Sequence, residues 1–155
     1  MNRPLFALVA LMTLAACQQE PAPAPAAEIS VTDAIIRLAP VEGRPSAAYL
    51  TLHGGKTPDR LEAVTSPKAA TIDLHESKME DGMMSMSLLT GVDVPAGGDV
   101  VFKSGGNHAM LFGMDPAVKP GASVPLTFTF QSGKKVEVGA KAIAAGDEMP
   151  MNMEH

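Results

Sequence analysis

Two histidines and two methionines have the residue types and the spacing of a site for a soft metal ion. They are His75, Met86, His108 and Met110. Imidazole nitrogen and thioether sulfur form an uncharged ligand set; thioether sulfur prefers Cu(I), whereas Zn and Mg favour harder or anionic donors. Thioethers bind metal without losing a proton, so protonation of the imidazoles is what would release it. The set predicts a Cu(I) site; the alternative is two surface histidines and two core methionines.

A predicted hairpin brings the first two of these residues to one face of a sheet. Asp81-Gly82 is typical of a two-residue hairpin loop, and pairing about it sets His75 opposite Leu88 and Ser77 opposite Met86. The histidine and the methionine are then diagonal neighbours about 7–8 Å apart at Cα. A slip of one residue would place them on opposite faces. The other two candidate ligands lie two residues apart on a later predicted strand, so they also share a face.

Short apolar or alternating runs, separated by Gly, Pro and Asp, predict strands throughout the rest of the chain. No stretch keeps a helical apolar period, and Leu126–Phe130 alternates at period two, as half-buried antiparallel strands do. Many short strands at regular spacing predict an all-β domain, an antiparallel Greek-key β-sandwich or barrel. The predicted strands lie near Ile29–Leu38, Ala47–His53, Arg60–Thr65, Thr71–Ser77, Met84–Leu89, Asp99–Lys103, His108–Phe112, Val124–Phe130 and Lys134–Ile143.

The four candidate ligands and their surroundings resemble the PCu(A)C family of periplasmic copper chaperones. The spacing His-x10-Met-x21-His-x-Met matches the copper-binding signature of that family. The likeness continues in four flanking segments, Ala48–His53, Leu74–Glu76, Lys78–Met86 and Gly106–Leu111. The resemblance implies a cupredoxin-like β-sandwich with one exposed Cu(I). It also implies delivery of copper to the CuA centre of a cytochrome c oxidase subunit, or to another copper chaperone.

The N-terminal segment predicts export. Arg3 precedes an apolar run from Leu5 to Leu14, which is too short to span a bilayer and is typical of a signal peptide. The sequence Leu-Ala-Ala-Cys, ending at Cys17, resembles a bacterial lipoprotein box, in which the cysteine is lipidated; an ordinary secretory signal is the alternative. This is the only cysteine of the chain, so a lipidated protein has no thiol for a disulfide or a thiolate ligand.

The remaining sequence predicts one domain held on a tether. We expect a signal peptide over residues 1–16, the lipidated cysteine and a Pro/Ala tether over 17–27, and a copper-binding β-sandwich over 28–145. The protein would be periplasmic and lipid-anchored to a membrane, and Gln18 favours the outer one. With 12 Lys and Arg against 17 Asp and Glu, the net charge is −5. An acidic chain argues against nucleic acid as a partner, since phosphate binding needs a basic face.

The last ten residues, 146–155, predict a flexible tail rich in methionine. Met149, Met151, Met153 and His155 alternate along it. Three thioethers and an imidazole predict an auxiliary site for Cu(I) or Cu(II), either separate from the first or completing it. A frayed terminus is the alternative.

A copper carrier is the function that these patterns favour, and a copper buffer without a specific acceptor is the main alternative. A metal-free scaffold on a lipid tether is another. The sequence has no His-rich cluster, no thiolate for a blue-copper centre and no Ser/His/Asp spacing that is typical of a catalytic triad, so we expect no enzymatic activity.

His53, at a predicted strand end, is expected to be a hydrogen-bonded structural residue. Met79, Met83 and Met84 are expected to pack or lie exposed around the hairpin turn, with transient contact to copper as the alternative.

Overall fold

Alternation of apolar and polar residues produces ten β-strands in the computed structural model, which describes residues 28–149. No helix of this part is long and apolar enough to cross a bilayer. The strands are β1 Ser30–Arg37, β2 Ser46–His53, β3 Asp59–Thr65, β4 Thr71–Glu80, β5 Met83–Leu89, β6 Val92–Val94, β7 Asp99–Phe102, β8 Asn107–Phe112, β9 Ser123–Phe130 and β10 Lys135–Ile143. The predicted all-β class is confirmed.

Nine of the ten strands were predicted, and their ends differ from the predicted ones by at most three residues. The strand missing from the prediction is β6. It has only three residues between Gly91 and Pro95, so it is too short for an alternating pattern to stand out from the turns around it.

The strands form one mixed sheet. Its order is β5-β4-β8-β2-β1-β10-β9-β3-β6, and β7 pairs with β2 off this path. The pair β1 and β10 runs parallel, which corrects the purely antiparallel sheet of the prediction. The parallel pair arises because β1 and β10 come from the two ends of the domain and are not joined by a hairpin. The sheet does not close, and its ends are β5 and β6.

One hydrophobic core takes buried side chains from every strand except β5. The three phenylalanines Phe102, Phe128 and Phe130 are fully buried in it, together with Ile36 of β1 and Leu74 of β4. Because β5 contributes no buried side chain, the part of the β4–β5 hairpin near its turn stands beyond the core at one end of the sheet.

A second, smaller apolar cluster lies on the other face of the sheet, over β1, β2 and β10. It consists of Ile35, Tyr49, Ile143 and Met149, with Ala47 packed against it. The chain after β10 is turned back onto this face by the Asp147 amide, which donates to the Ala144 carbonyl at 3.1 Å. Arg37 donates from Nη2 to the Asp147 carbonyl at 3.0 Å. The first residues of the predicted tail therefore pack against the domain, and residues 150–155 lie outside the described part.

Candidate metal site

The hairpin that was expected to position two of the candidate ligands has the predicted register. Asp81 and Gly82 both have positive φ, 50° and 78°, as a tight hairpin turn of this twist requires. Ser77 lies opposite Met86, and His75 lies opposite Leu88. His75 and Met86 therefore share a face of the sheet.

Strand β8 pairs with the other side of β4 and brings the second pair of candidate ligands to the same face. His75 lies directly opposite His108, and Asp73 lies opposite Met110. The alternate residues of these strands, Leu74 and Ala109, point into the core. All four candidate ligands thus lie on the face of the sheet that faces away from the core, across the three neighbouring strands β5, β4 and β8.

The two imidazole rings are stacked. Their centroids are 5.8 Å apart and their planes differ by 24°. His108 is 7% exposed, and its Nδ1 lies 2.9 Å from the Gly106 carbonyl oxygen. A carbonyl only accepts, so Nδ1 carries the proton and the neutral ring keeps its lone pair on Nε2. A backbone partner of this kind is what orients a metal-binding histidine and fixes its tautomer.

The side chain of His75 differs in having no hydrogen-bond partner in the described part of the chain. Both ring nitrogens, Nδ1 and Nε2, are buried and have no partner among the described residues. Leaving a buried polar group unpaired costs about 1–3 kcal/mol, so such a group calls for an explanation. A metal ion would supply the missing partner, since a neutral imidazole has a lone pair to give.

The two methionines differ in exposure. Met86, on the hairpin, is 56% exposed, whereas Met110 is half-buried between Asp73 of β4 and Ala47 of β2. The nitrogens of His75 are covered, so the solvent-accessible side of this donor set is at Met86.

One carboxylate near the site was not singled out in the sequence. Asp73 is exposed and stands two residues before His75 on the same face, where its negative charge favours a bound cation. Its period-two spacing from the histidine was the signal that could have found it. Glu76 occupies the opposite face by alternation. Its Oε2 lies 2.9 Å from Nζ of Lys78, and the hydrogen bond and the negative charge of this carboxylate raise the pKa of the lysine.

The remaining candidate residues fall elsewhere. Both ring nitrogens of His53 form hydrogen bonds: Nε2 lies 2.8 Å from Thr32 Oγ1, and Nδ1 lies 2.7 Å from Asp99 Oδ1. The predicted hydrogen-bonded, structural role is confirmed.

Met149 is buried in the second apolar cluster. The other three predicted tail ligands, Met151, Met153 and His155, lie outside the described residues. Among the described residues, no three His, Cys, Asp or Glu side chains converge.

The family of the chain follows from its sequence. The family model "Putative lipoprotein LpqE-like" matches residues 29–153. The chain belongs to this family. A prokaryotic membrane lipoprotein attachment site also matches residues 1–18 of this LpqE-like chain, which indicates a membrane-anchored protein outside the cytoplasm.

A curated relative is protein Lxx21020 of Leifsonia xyli subsp. xyli. It is 30% identical over 87 residues, which are 54% of this chain and 52% of the relative. The LpqE-like chain therefore spans about half the length of the curated relative that it matches.

Solved structures similar to the LpqE-like chain are PCuAC domains. The Cu(I)-bound protein DR1885 of Deinococcus radiodurans is 28% identical, with a TM-score of 0.64, over 77% of this chain and 81% of that one. The copper-bound PCuAC domain from PmoF2 is 21% identical, with a TM-score of 0.62, over 77% of this chain and 95% of that one. The predicted PCu(A)C resemblance and cupredoxin-like fold are thereby confirmed.

Proposed function

We propose that this LpqE-like lipoprotein is a copper carrier that binds one Cu(I) through His75, Met86, His108 and Met110. The observation that supports this most is the imidazole of His75, whose two ring nitrogens are buried and unpaired among the described residues. It is stacked on a second imidazole whose tautomer leaves Nε2 free to bind metal. The similarity to DR1885, whose solution structure contains Cu(I), supports the choice of metal.

The donor set suits a carrier because Cu(I) enters and leaves by ligand exchange without a change of oxidation state. All four donors are neutral, so the bound ion keeps its single positive charge, and soft thioethers favour Cu(I) over harder ions. Met86 is the most exposed donor. It is therefore the ligand that an acceptor would replace first, while the two histidines still hold the ion.

The proposed acceptor is a CuA-containing subunit of cytochrome c oxidase or another copper chaperone, and the protein itself catalyses no reaction. We propose further that the lipid anchor holds it at the outer membrane, as Gln18 at the second mature position suggests. An exposed site on a tethered domain serves such a transfer, because the donor face stays accessible while the protein stays at the membrane.

Competitive titration tests the site. A Cys17→Ser protein is titrated anaerobically with Cu(I) against a chelator, and X-ray absorption counts nitrogen and sulfur neighbours. We expect two nitrogens and two sulfurs, and a loss of affinity of about 10–100-fold or more for His75→Ala and for His108→Ala. His53→Ala is the matched control, because its ring is already hydrogen-bonded. Equal affinity of all three variants would refute the site.

A transfer experiment distinguishes a carrier from a buffer. The loaded protein is mixed with an apo CuA domain, and the purple absorption of the CuA centre is followed in time. A carrier transfers copper faster than an equal concentration of free or chelated copper does. A rate no greater than that of the free ion would favour the buffer.

We also propose that the C-terminal segment contributes an auxiliary copper site, for Cu(I) or Cu(II), through Met151, Met153 and His155. Two observations support this. Met149 packs on the outer face beside Ala47, and Ala47 pairs with Met110 of the main site. His155 lies six residues beyond Met149, and an extended segment of six residues spans up to about 20 Å.

Truncation tests the auxiliary site. A chain that ends at Met149 keeps the packed residue and lacks the other three donors, so it should bind fewer copper equivalents and still fill the main site. Unchanged stoichiometry together with unchanged Cu(I) affinity would show that the tail holds no copper.

A further inference from the structure

The hairpin of β4 and β5 exposes methionines for which packing gives no reason. Met79, Met84 and Met86 are between 56% and 65% exposed, and Met83 at the turn is 73% exposed. Strand β5 contributes no buried side chain to the core, and only Leu89, at its end, packs against it. Four flexible apolar side chains held in water on one short hairpin indicate an interaction surface.

Register places three of these thioethers on one face. Met79 lies directly opposite Met84, and Ser77 lies opposite Met86, so the side chains of Met79, Met84 and Met86 point the same way. Directly opposed Cα atoms are about 4.5–5.5 Å apart, and residues two apart on one strand are about 7 Å apart. Methionine has three rotatable side-chain bonds, so three sulfurs at these separations can meet at one ion. Met83 lies opposite Glu80 and faces the other way.

The same face continues directly into the main site. Ser77 separates Met79 from His75 along β4, and Met86 is diagonal to His75 across the hairpin. The three thioethers therefore form a row that runs from the solvent-exposed turn to the two imidazoles.

We propose that Met79, Met84 and Met86 form a second, exposed site that takes up Cu(I) before it reaches the histidines. Three neutral thioethers make a soft ligand set, which suits Cu(I) and Ag(I) and disfavours harder cations. Met86 belongs to both sites, so the ion moves when bonds to His75 and His108 form while bonds to Met79 and Met84 break. The ion stays Cu(I) throughout, and no electron or proton is needed. The uptake site stands on its own, whereas the passage to the histidines rests on the proposed function.

The hairpin also supplies a matched set of variants. Met79→Leu/Met84→Leu removes two sulfurs and keeps side chains of similar size, so the hairpin should fold as before. Met83→Leu is the control, because it removes one equally exposed sulfur from the opposite face. The Cys17→Ser protein, carrying methyl-labelled methionine, is titrated anaerobically with Cu(I), and the methionine methyl signals are followed by NMR.

Besides the copper assigned to the tail, we expect two equivalents to bind to the parent protein, one at the main site, which then holds Met86, and one at Met79 and Met84. The Met110 methyl signal should shift with the first equivalent, and the Met79 and Met84 signals with the second. The double variant should lose the second equivalent, keep the first, and load the main site more slowly, whereas Met83→Leu should behave like the parent. Stationary Met79 and Met84 signals in excess Cu(I), with a shifted Met110 signal, would overturn the second site alone.

A variant without the imidazoles separates the two proposals. In His75→Ala/His108→Ala the hairpin should still bind one equivalent and shift the Met79 and Met84 signals. If Met110 fails to shift at any Cu(I) ratio in the parent protein while the hairpin signals move, the proposed main site is wrong and the hairpin site stands.

Discussion

The three histidines of the described chain differ in how far their ring nitrogens are satisfied. His53 has a partner at each nitrogen, His108 has one backbone partner, and His75 has none. Burying a ring nitrogen without a hydrogen-bond partner lowers the stability of the metal-free protein. The imidazole of His75 therefore adds little to the free energy of unfolding. In the proposed function, a metal ion bound to His75 would recover this lost stability.

Replacing His75 should therefore separate stability from binding. His75→Leu removes two buried unpaired nitrogens, so we expect the free energy of unfolding of the metal-free Cys17→Ser protein to rise by about 1 kcal/mol. Cu(I) affinity should fall sharply in the same variant. Urea unfolding with and without Cu(I) measures both effects, and copper should stabilise the parent protein far more than the variant.

His53→Leu is the control for that measurement, because it leaves Thr32 and Asp99 without their histidine partner. It should lower the free energy of unfolding and leave Cu(I) affinity unchanged. If His75→Leu destabilises the metal-free protein as much as His53→Leu does, the ring of His75 has a structural role that its missing hydrogen bonds do not explain.

Tyr49 reports on the packing of the C-terminal segment. Burial raises the pKa of Tyr49 above its ordinary value, and the positive charge of Arg37 partly offsets this. Since the neutral phenol is favoured in the folded state, folding stability should fall as pH rises from the ordinary tyrosine pKa through the raised one. Met149 is part of the cluster around this ring, so Met149→Ala should lower the pKa of Tyr49.

The chain contains one tyrosine and no tryptophan, so the phenolate absorbance near 295 nm titrates Tyr49 alone. Met153→Ala, which changes a residue of the tail beyond Met149, is the control and should leave the titration unchanged. An identical titration curve for Met149→Ala and the parent would show that Met149 does not shield the ring in solution.

At the level of elements, the β4–β5 turn determines whether the candidate ligands share a face. Gly82 has a φ of 78°, and a Cβ there would meet no atom within 4 Å. A larger residue at position 82 would therefore be destabilising because of backbone strain at positive φ, and not because of steric clashes. Gly133, in the β9–β10 turn, has a φ of 84° and equally open surroundings. The two strands that this turn joins carry none of the candidate ligands.

This pair of glycines provides a test of register. Gly82→Val and Gly133→Val should each lower the free energy of unfolding by about 1–2 kcal/mol, the cost of a left-handed conformation for a residue with a Cβ. Only the Gly82 variant should also weaken Cu(I) binding, since a slip of one residue moves Met86 to the other face. Cu(I) titration and the cross-strand NOE between Ser77 and Met86 measure the two effects. Equal Cu(I) affinity of both variants would show that the hairpin register does not control the site.

The parts of the site that the sequence predicted are those set by neighbours along the chain. Alternation predicted the strands, and Asp81-Gly82 predicted the pairing of Ser77 with Met86, because a turn of two residues leaves one register. The pairing of His75 with His108 across β4 and β8 joins distant segments, and no local pattern specifies which strand lies beside which. Met149 was predicted as a metal ligand, and it packs in the second apolar cluster. A thioether is both a soft ligand and an apolar side chain, so the sequence alone does not distinguish metal coordination from packing.

In the whole molecule, the anchored end and the candidate metal site belong to different parts of the sheet. Glu28, the first described residue, forms a 2.9 Å ion pair with Lys134 beside the β9–β10 turn. The candidate ligands lie on β5, β4 and β8, at one end of the strand order, and β8 and β1 are separated by β2. The methionines of the hairpin at that end lie outside the core, so they can change position while the core stays packed.

This separation predicts that anchoring and metal binding are independent. Cys17 is the cysteine of the matched lipid attachment site, so Cys17→Ser should move the protein from the membrane fraction to the soluble extracytoplasmic fraction. The mass of the purified parent protein should exceed that of its mature polypeptide by the attached lipid, which the variant lacks. Cu(I) affinity should be the same for the variant and for the parent in detergent, because no candidate ligand of the main site lies before residue 75.

Ser46→Ala, far from the lipid attachment site in sequence, is the control and should stay with the membrane. Separating outer from inner membrane on a density gradient tests the proposed outer-membrane location. A variant that remained in the membrane fraction would show that another part of the chain holds the protein there, and a variant with altered Cu(I) affinity would show that the anchor acts on the site.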